Sequence, residues 1–309
     1  MPPHPLDDDV QLNFTYPLYK HETNAWLSST EAFVRGVFAC GKGADKKVQA
    51  RVKAIFGYTP EDGYLVICDR TLFCPTGEQL CDLGLIHSHY STPEEGPNTV
   101  FTVQDVRKKL TDEVYDHFGL YEPGVVYHLG TFEPSHVPFR VHQAVMQQID
   151  PERRLLHSRT HAAGHLIAVA VQRLHLRGAL SGDLTFNGVD RSPNLVVELG
   201  GMLDRKHRQA KRDIQREINE IISKNVRLET RRWNWQEALE RGVRLPPKSE
   251  TTIELMRVIT LEGNEGLYLC GAPFVANTGV VGRVQIKKLT VHKKEEVTRI
   301  EYSISQNAP

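Results

Sequence analysis

Two histidines, His161 and His165, stand four residues apart in the stretch RTHAAGH at 159–165, just before the apolar run LIAVAVQRL. On a helix of 3.6 residues per turn they share one face, so both imidazoles can reach a single metal ion. The HxxxH pattern is weak by itself, because two polar-face histidines on an ordinary helix have the same spacing. Cys270 adds a third candidate ligand: it follows an expected strand and precedes a Gly/Pro turn at 271–273, where a thiolate can face a cleft. His161, His165 and Cys270 together make a His₂Cys set, which suits Zn²⁺ with one coordination position open.

These side chains need rigid elements behind them. Asp150 followed by Pro151 fits an N-cap with proline at the first helical position, and the spacing predicts a helix over 151–177, ended by Gly178. A hairpin is expected over 184–199. A second long helix is expected over 203–225, with Leu203, Ala210, Ile214, Ile218, Ile221 and Ile222 at helical spacing. Strands follow in TTIELMRVITLE, GRVQIKKLTVHKK and VTRIEYSI. The first half reads mostly as strands: VQLNFTYPLY, FVRGVFAC, KVQARVKAIFGYT and YLVICDRTLF, then segments near 99–104, 124–132 and 137–149, with a polar loop over 87–99. Short strands with Gly/Pro punctuation indicate a small barrel or sandwich, and helices followed by antiparallel strands indicate an α+β unit. The fold class expected is therefore α+β, with one domain over 1–149 and a second over 150–309.

Composition bounds the function classes. The chain has 309 residues, 40% hydrophobic and 25% charged, values of a globular protein with room for about two domains. Its formal net charge is zero, so no global field draws in polyanions, and any nucleic-acid contact must come from local basic patches. Such patches occur in RKHRQAKRDIQR at 205–216, in Arg231 and Arg232, and in KKLTVHKK at 287–294. They read either as phosphate contacts or as a solvated face, since the same helix carries Asp204, Asp213, Glu217 and Glu220. The acidic N-terminus is no secretory signal, and no apolar run approaches the length of a membrane span. The five cysteines, Cys40, Cys68, Cys74, Cys81 and Cys270, lack CxxC spacing and argue against a disulfide framework. The expectation is a cytoplasmic protein with reduced thiols and no membrane contact.

Four ordered blocks carry a family resemblance. LVICDRTLFCPTGEQLCDLG resembles "ldrTlFyPtGGGQpxDxG", and QAVMQQIDPERRLLHSRTHAAGHLI resembles "vxxxiDxxrRxxxMrxHTAxHLL". DIQREINEIISKNV resembles "ieexvNexixxn", and CGAPFVANTGVVGRVQIKKL resembles "CgGTHVxnTgeIGxixI". The chain thus looks like the free-standing alanyl-tRNA editing proteins of the AlaX type and the editing domain of alanyl-tRNA synthetase. The resemblance implies an N-terminal glycine-rich β-barrel-like domain and an α+β editing domain with long helices on an antiparallel sheet. The implied activity is hydrolysis of serine or glycine from mischarged alanine tRNA, with the tRNA acceptor end as partner and zinc as cofactor. His161, His165 and Cys270 match three of the family's zinc ligands. Thr71, Phe73, Gln79, Arg159 and Phe274 are the implied substrate-binding positions, and Gln79 and Glu78 join the two histidines as catalytic candidates.

The chain departs from the pattern at several places. Position 274, where the family has its fourth ligand, is phenylalanine. Either the open position holds a water whose pKa zinc lowers toward about 7, or metal affinity is lost and Phe274 fills volume. The loop PTGEQ is one residue shorter than PtGGGQ, with Glu78 in place of glycine, and Ala162 replaces a threonine. Glu78 reads as a general base or as a solvated loop carboxylate. His157, one turn before His161, is expected to accompany the site or stand exposed. Two functions follow: a trans-acting editing hydrolase, or a repurposed relative acting on a small molecule as a hydrolase or cyclase in specialised metabolism.

Overall fold

The computed structural model describes residues 15–20, 27–77, 79–88, 98–110, 124–182, 184–190, 195–203, 207–241, 256–261 and 268–305. The chain divides into two units, Met1–Arg154 and Leu155–Pro309. The fold is mixed α+β.

In the first unit a two-residue strand, β1 (Tyr16–Pro17), precedes β2 (Ser29–Ala39), helix α1 (Lys46–Phe56), β3 (Tyr64–Cys68), the short β4 (Arg70–Thr71) and β5 (Gly84–Ser88). The long strands β6 (Val100–Leu110) and β7 (Gly124–Glu133) and then β8 (Ala144–Ile149) complete it. Six of these close a barrel in the order β2-β3-β7-β6-β5-β8, and β1 pairs in parallel with β4. Alternation along the strands sorts the side chains. Val66 and Cys68 of β3 and Val126 and Phe132 of β7 join the core inside the barrel with Phe101, Val103 and Val145. Leu65 and Ile67 of β3, with Val125, Tyr127 and Leu129 of β7, face the other way and pack with Val48, Val52 and Phe56 of α1. That cover is why β3 is buried at consecutive residues from Leu65 to Cys68. Strands pass so closely at Gly130 that a Cβ there would overlap the carbonyl oxygen of Thr102.

Helix α1 corrects one expectation, since KVQARVKAIFGYT was expected as a strand. Val48, Val52 and Phe56 recur every four residues, the spacing of one helical face. The Asp45 carboxylate accepts from the Lys47 amide at the start, and Gly57, with φ 83°, ends the helix in the left-handed conformation that glycine adopts without strain.

Polar side chains also point into the barrel, among them Gln147 of β8 and His128 of β7. His128 of β7 is fully buried, with Nδ1 3.0 Å from the carbonyl oxygen of Val66 and Nε2 2.8 Å from Thr71 Oγ1. The carbonyl can only accept, so Nδ1 carries the proton and Nε2 accepts from the Thr71 hydroxyl, whose oxygen accepts from the Phe73 amide at 3.0 Å. Burial lowers the His128 pKa from 6.5 to about 4. Between those values the unfolded chain holds the extra proton, so stability falls as pH falls through this window. The expected loss is about 3 kcal/mol. Denaturant unfolding of the wild type and His128→Gln at both ends of the window checks it: the wild type loses more, while equal losses contradict the assignment.

The second unit contains the greater part of α2 (Pro151–Leu176), then β9 (Thr185–Asp190), β10 (Leu195–Gly200), α3 (His207–Ser223), β11 (Leu228–Trp233) and α4 (Trp235–Glu240). After these come β12 (Met256–Leu261), β13 (Tyr268–Leu269), β14 (Val284–His292) and β15 (Val297–Ile304). β14-β15-β10-β9 form an antiparallel sheet and β11-β12-β13 a second one. Helix α3 packs on β14, and its Ala210, Ile214, Ile218 and Ile221 are all buried. Arg173 and Arg177, near the end of α2, reach Glu217 of α3 at 3.5 and 2.8 Å. Among the described residues no helix is long and apolar enough to cross a membrane.

Candidate metal centre

Helix α2 starts as its residues require. Asp150 Oδ1 accepts from the backbone amides of Glu152 and Arg153, both at 3.0 Å, and Pro151 supplies no amide proton. From 157 to 171 every residue is buried. A helix buried all round has no polar face for histidines to decorate, so His161 and His165 point into protein.

There they meet Cys270. His161 Nε2 lies 3.1 Å from Cys270 Sγ and 3.2 Å from His165 Nε2, and the three candidate ligand atoms all lie within 4.8 Å of one another. All three side chains are buried. Tetrahedral zinc with its usual bond lengths sets neighbouring nitrogen and sulfur ligands roughly 3.3–3.6 Å apart, and the two distances at His161 fall within a few tenths of an ångström of that spacing. The donor set also suits zinc chemically. The three residues can hold a metal ion.

Cys270 is held by a residue that sequence reading missed. It directly follows β13, and its amide donates to the Arg257 carbonyl at 3.2 Å. Arg257 Nη1 in turn donates to the carbonyl oxygens of Cys270 (2.7 Å) and Ala272 (2.9 Å), so one guanidinium clasps the loop carrying the thiol. In the sequence Arg257 is simply a cation in a strand, and only the pairing of β12 with β13 reveals its task.

Phe274 stands beside the cluster. Its ring centroid is 5.5 Å from that of His161 and 5.6 Å from that of His165, and Phe186 flanks His165 at 5.1 Å. At the position that the resemblance assigns to a fourth ligand, the protein presents an apolar wall. Phe274→His puts a nitrogen donor back beside the pair. We expect it to tighten zinc binding at least about tenfold, a small part of the roughly 10–16 kcal/mol of a structural zinc site. Competition with a chromophoric chelator reads this directly, and unchanged affinity shows that position 274 does not face the ion.

The other residues singled out in the sequence have these places. Arg159 is buried, and its guanidinium donates to the carbonyl oxygens of Val281 and Ser305, so it serves inside the second unit as a clamp on backbone. His157 is buried rather than exposed and is not one of the three converging residues. Thr71 and Phe73 lie in the first unit, joined to His128 by the hydrogen bond above and by a T-shaped ring contact of 5.3 Å. Gln79, in the same loop, is 1% exposed, and neither its amide nitrogen nor its amide oxygen has a hydrogen-bond partner among the described residues. Glu78 lies outside the described residues.

The chain is 28% identical over 246 residues to the alanine–tRNA ligase of Halobacterium salinarum, a match covering 77% of this chain and 23% of that protein. The alanine–tRNA ligase of Methanococcoides burtonii is 27% identical over 253 residues, covering 79% and 23%. That of Thermobifida fusca is 27% identical over 269 residues, covering 84% and 25%. This chain is distantly similar to part of alanine–tRNA ligase. It spans about a quarter of the length of these curated relatives. No protein-family model matches it. The likeness agrees with the resemblance carried by the four sequence blocks.

Proposed function

We propose that the protein is a hydrolase that cleaves the ester joining serine or glycine to alanine tRNA, working at His161, His165 and Cys270. The observation that carries this reading is the convergence of those three buried side chains in a chain distantly similar to alanine–tRNA ligases. The reaction adds one water across the acyl carbon–oxygen bond, releasing the free amino acid and the terminal hydroxyl of the RNA. Zinc held by the three residues would supply Lewis-acid polarisation of the ester carbonyl. The protein's own groups set the conditions. Arg257 fixes the thiol loop, the four-residue spacing on α2 aligns the imidazoles, and the rings of Phe274 and Phe186 keep bulk water off the imidazole faces.

A second reading, a hydrolase or cyclase acting on a small molecule, draws on the aromatic wall at Phe274 where relatives of this pattern carry a ligand. One assay separates the two. Seryl-, glycyl- and alanyl-tRNA(Ala) are each incubated with the protein against a buffer blank. Selective loss of the seryl or glycyl ester supports editing, and no loss of any ester with zinc present overturns it in favour of the second reading.

A further inference from the structure

The outer face of α3 carries charge that the rest of the helix does not neutralise. Its described carboxylates are all engaged. Asp213 pairs with Arg216 at 2.8 Å, Glu217 with Arg177 at 2.8 Å and Glu220 with Lys224 at 2.8 Å. Arg208, Lys211 and Arg212 of α3 and Lys287 of β14 have no carboxylate partner among the described residues. Arg212 donates to the neutral Gln209 amide, Lys287 to the Gln285 amide, and Lys211 to the carbonyl oxygen of Lys287. Of the acids counted against a basic face in the sequence, Asp213, Glu217 and Glu220 are therefore spent, Asp204 lies outside the described residues, and the cations Arg208, Lys211 and Arg212 remain.

Arg208, Lys211 and Arg212 line a surface groove of about 500 Å³ together with Gln215, Arg216 and Asn219. Arg208, Arg212 and Arg216 recur every four residues and form a row with a rise of about 6 Å per step. The neighbouring edge of β14 is already closed. Gln215 accepts from the Ile286 amide at 2.8 Å and donates to the Val284 carbonyl at 3.0 Å, and Lys211 takes the Lys287 carbonyl. A peptide adding a strand beside Val284–Lys287 finds these edge groups already taken. A row of guanidiniums instead suits phosphates, which they bind through paired N–H donors.

We propose that this α3 face is an RNA-backbone docking surface, contacting phosphates of the RNA whose ester the His161, His165 and Cys270 site cleaves. The choice of RNA rests on the reading under Proposed function; the location of the surface rests on the charge sorting alone. The test is fluorescence anisotropy with a labelled, uncharged RNA hairpin bearing a single-stranded CCA end, over a salt series. Arg208→Glu/Arg212→Glu and, separately, Lys287→Glu are compared with the control Lys46→Glu/Lys53→Glu on α1, all exposed and checked for fold by circular dichroism. The double reversal is expected to weaken binding at least about tenfold and to lower the slope of log K against log salt by about 2, with a smaller loss for Lys287→Glu and none for the control. Hydrolysis of free serine methyl ester by the same variants stays at the wild-type rate. Wild-type binding that survives both reversals, or no RNA binding by the wild type, overturns the surface. Binding that the reversals abolish in a protein that hydrolyses no aminoacyl ester supports the surface and overturns the editing reading instead.

Discussion

Replacing Cys270 with alanine is expected to remove metal binding and ester hydrolysis together while leaving the fold in place. The thiol is one of three converging donors, and none of the aromatic side chains around it can substitute. With two imidazoles alone the site keeps too few ligands to hold zinc against water, so turnover should fall at least about 100-fold, more than the 10–100-fold typical of groups that only orient a ligand. His165→Ala should do the same through the helix side of the site. Arg257→Lys provides the graded case: it keeps the charge, loses the planar guanidinium whose Nη1 bridges the carbonyls of Cys270 and Ala272, and should weaken metal retention less than Cys270→Ala. Stripped of metal, the wild type and Cys270→Ala must unfold alike, because a free buried cysteine packs like a small apolar residue and only bound metal would separate the curves. Turnover that persists in Cys270→Ala at the wild-type rate would remove the thiol from the chemistry.

The second large effect concerns stability. Arg154 and Asp82 form an ion pair at 2.6 Å with both side chains almost fully buried. Asp82 also accepts from the Cys74 amide at 2.6 Å, and Gln147 holds the Leu72 amide and the Arg70 carbonyl, so the loop running from Thr71 through Gln79 is fastened at several points. Asp82→Ala leaves a buried guanidinium without its counter-charge and should cost about 3–5 kcal/mol. Substituting both partners with apolar residues should cost clearly less than the sum of the single changes, since no uncompensated charge then remains. Denaturant titration of the two singles and the double decides this, and a single-variant cost below about 1 kcal/mol would show that the pair is a bystander.

The parts of this molecule that were legible in the sequence share a local cause. Asp150-Pro151 and Gly178 bracket α2 because capping is chemistry between near neighbours. The hairpin of β9 and β10 and the apolar row of α3 follow from periodicity in the same way. Helix α1 escaped because β-branched residues in KVQARVKAIF imitate a strand, while the decisive four-residue repeat and its caps at Asp45 and Gly57 are short signals in a strand-rich context. The site divides likewise. His161 and His165 are visible as neighbours on a helix, but Cys270 lies more than a hundred residues away, and only its place between a strand and a Gly/Pro turn, with the resemblance of ordered blocks, joins it to them. Arg257, His128 and the Asp82–Arg154 pair depend on which strands and loops come together, and no spacing in the chain encodes that.

Metal content of the purified protein tests the central claim most directly. Expressed with zinc and dialysed, the wild type should carry about one equivalent per chain, whereas His161→Ala and Cys270→Ala should carry none. Loaded with cobalt, it should show a thiolate-to-metal charge-transfer band that Cys270→Ala lacks. A folded wild type that takes up neither metal, or one whose metal survives the loss of both His161 and Cys270, would contradict the account.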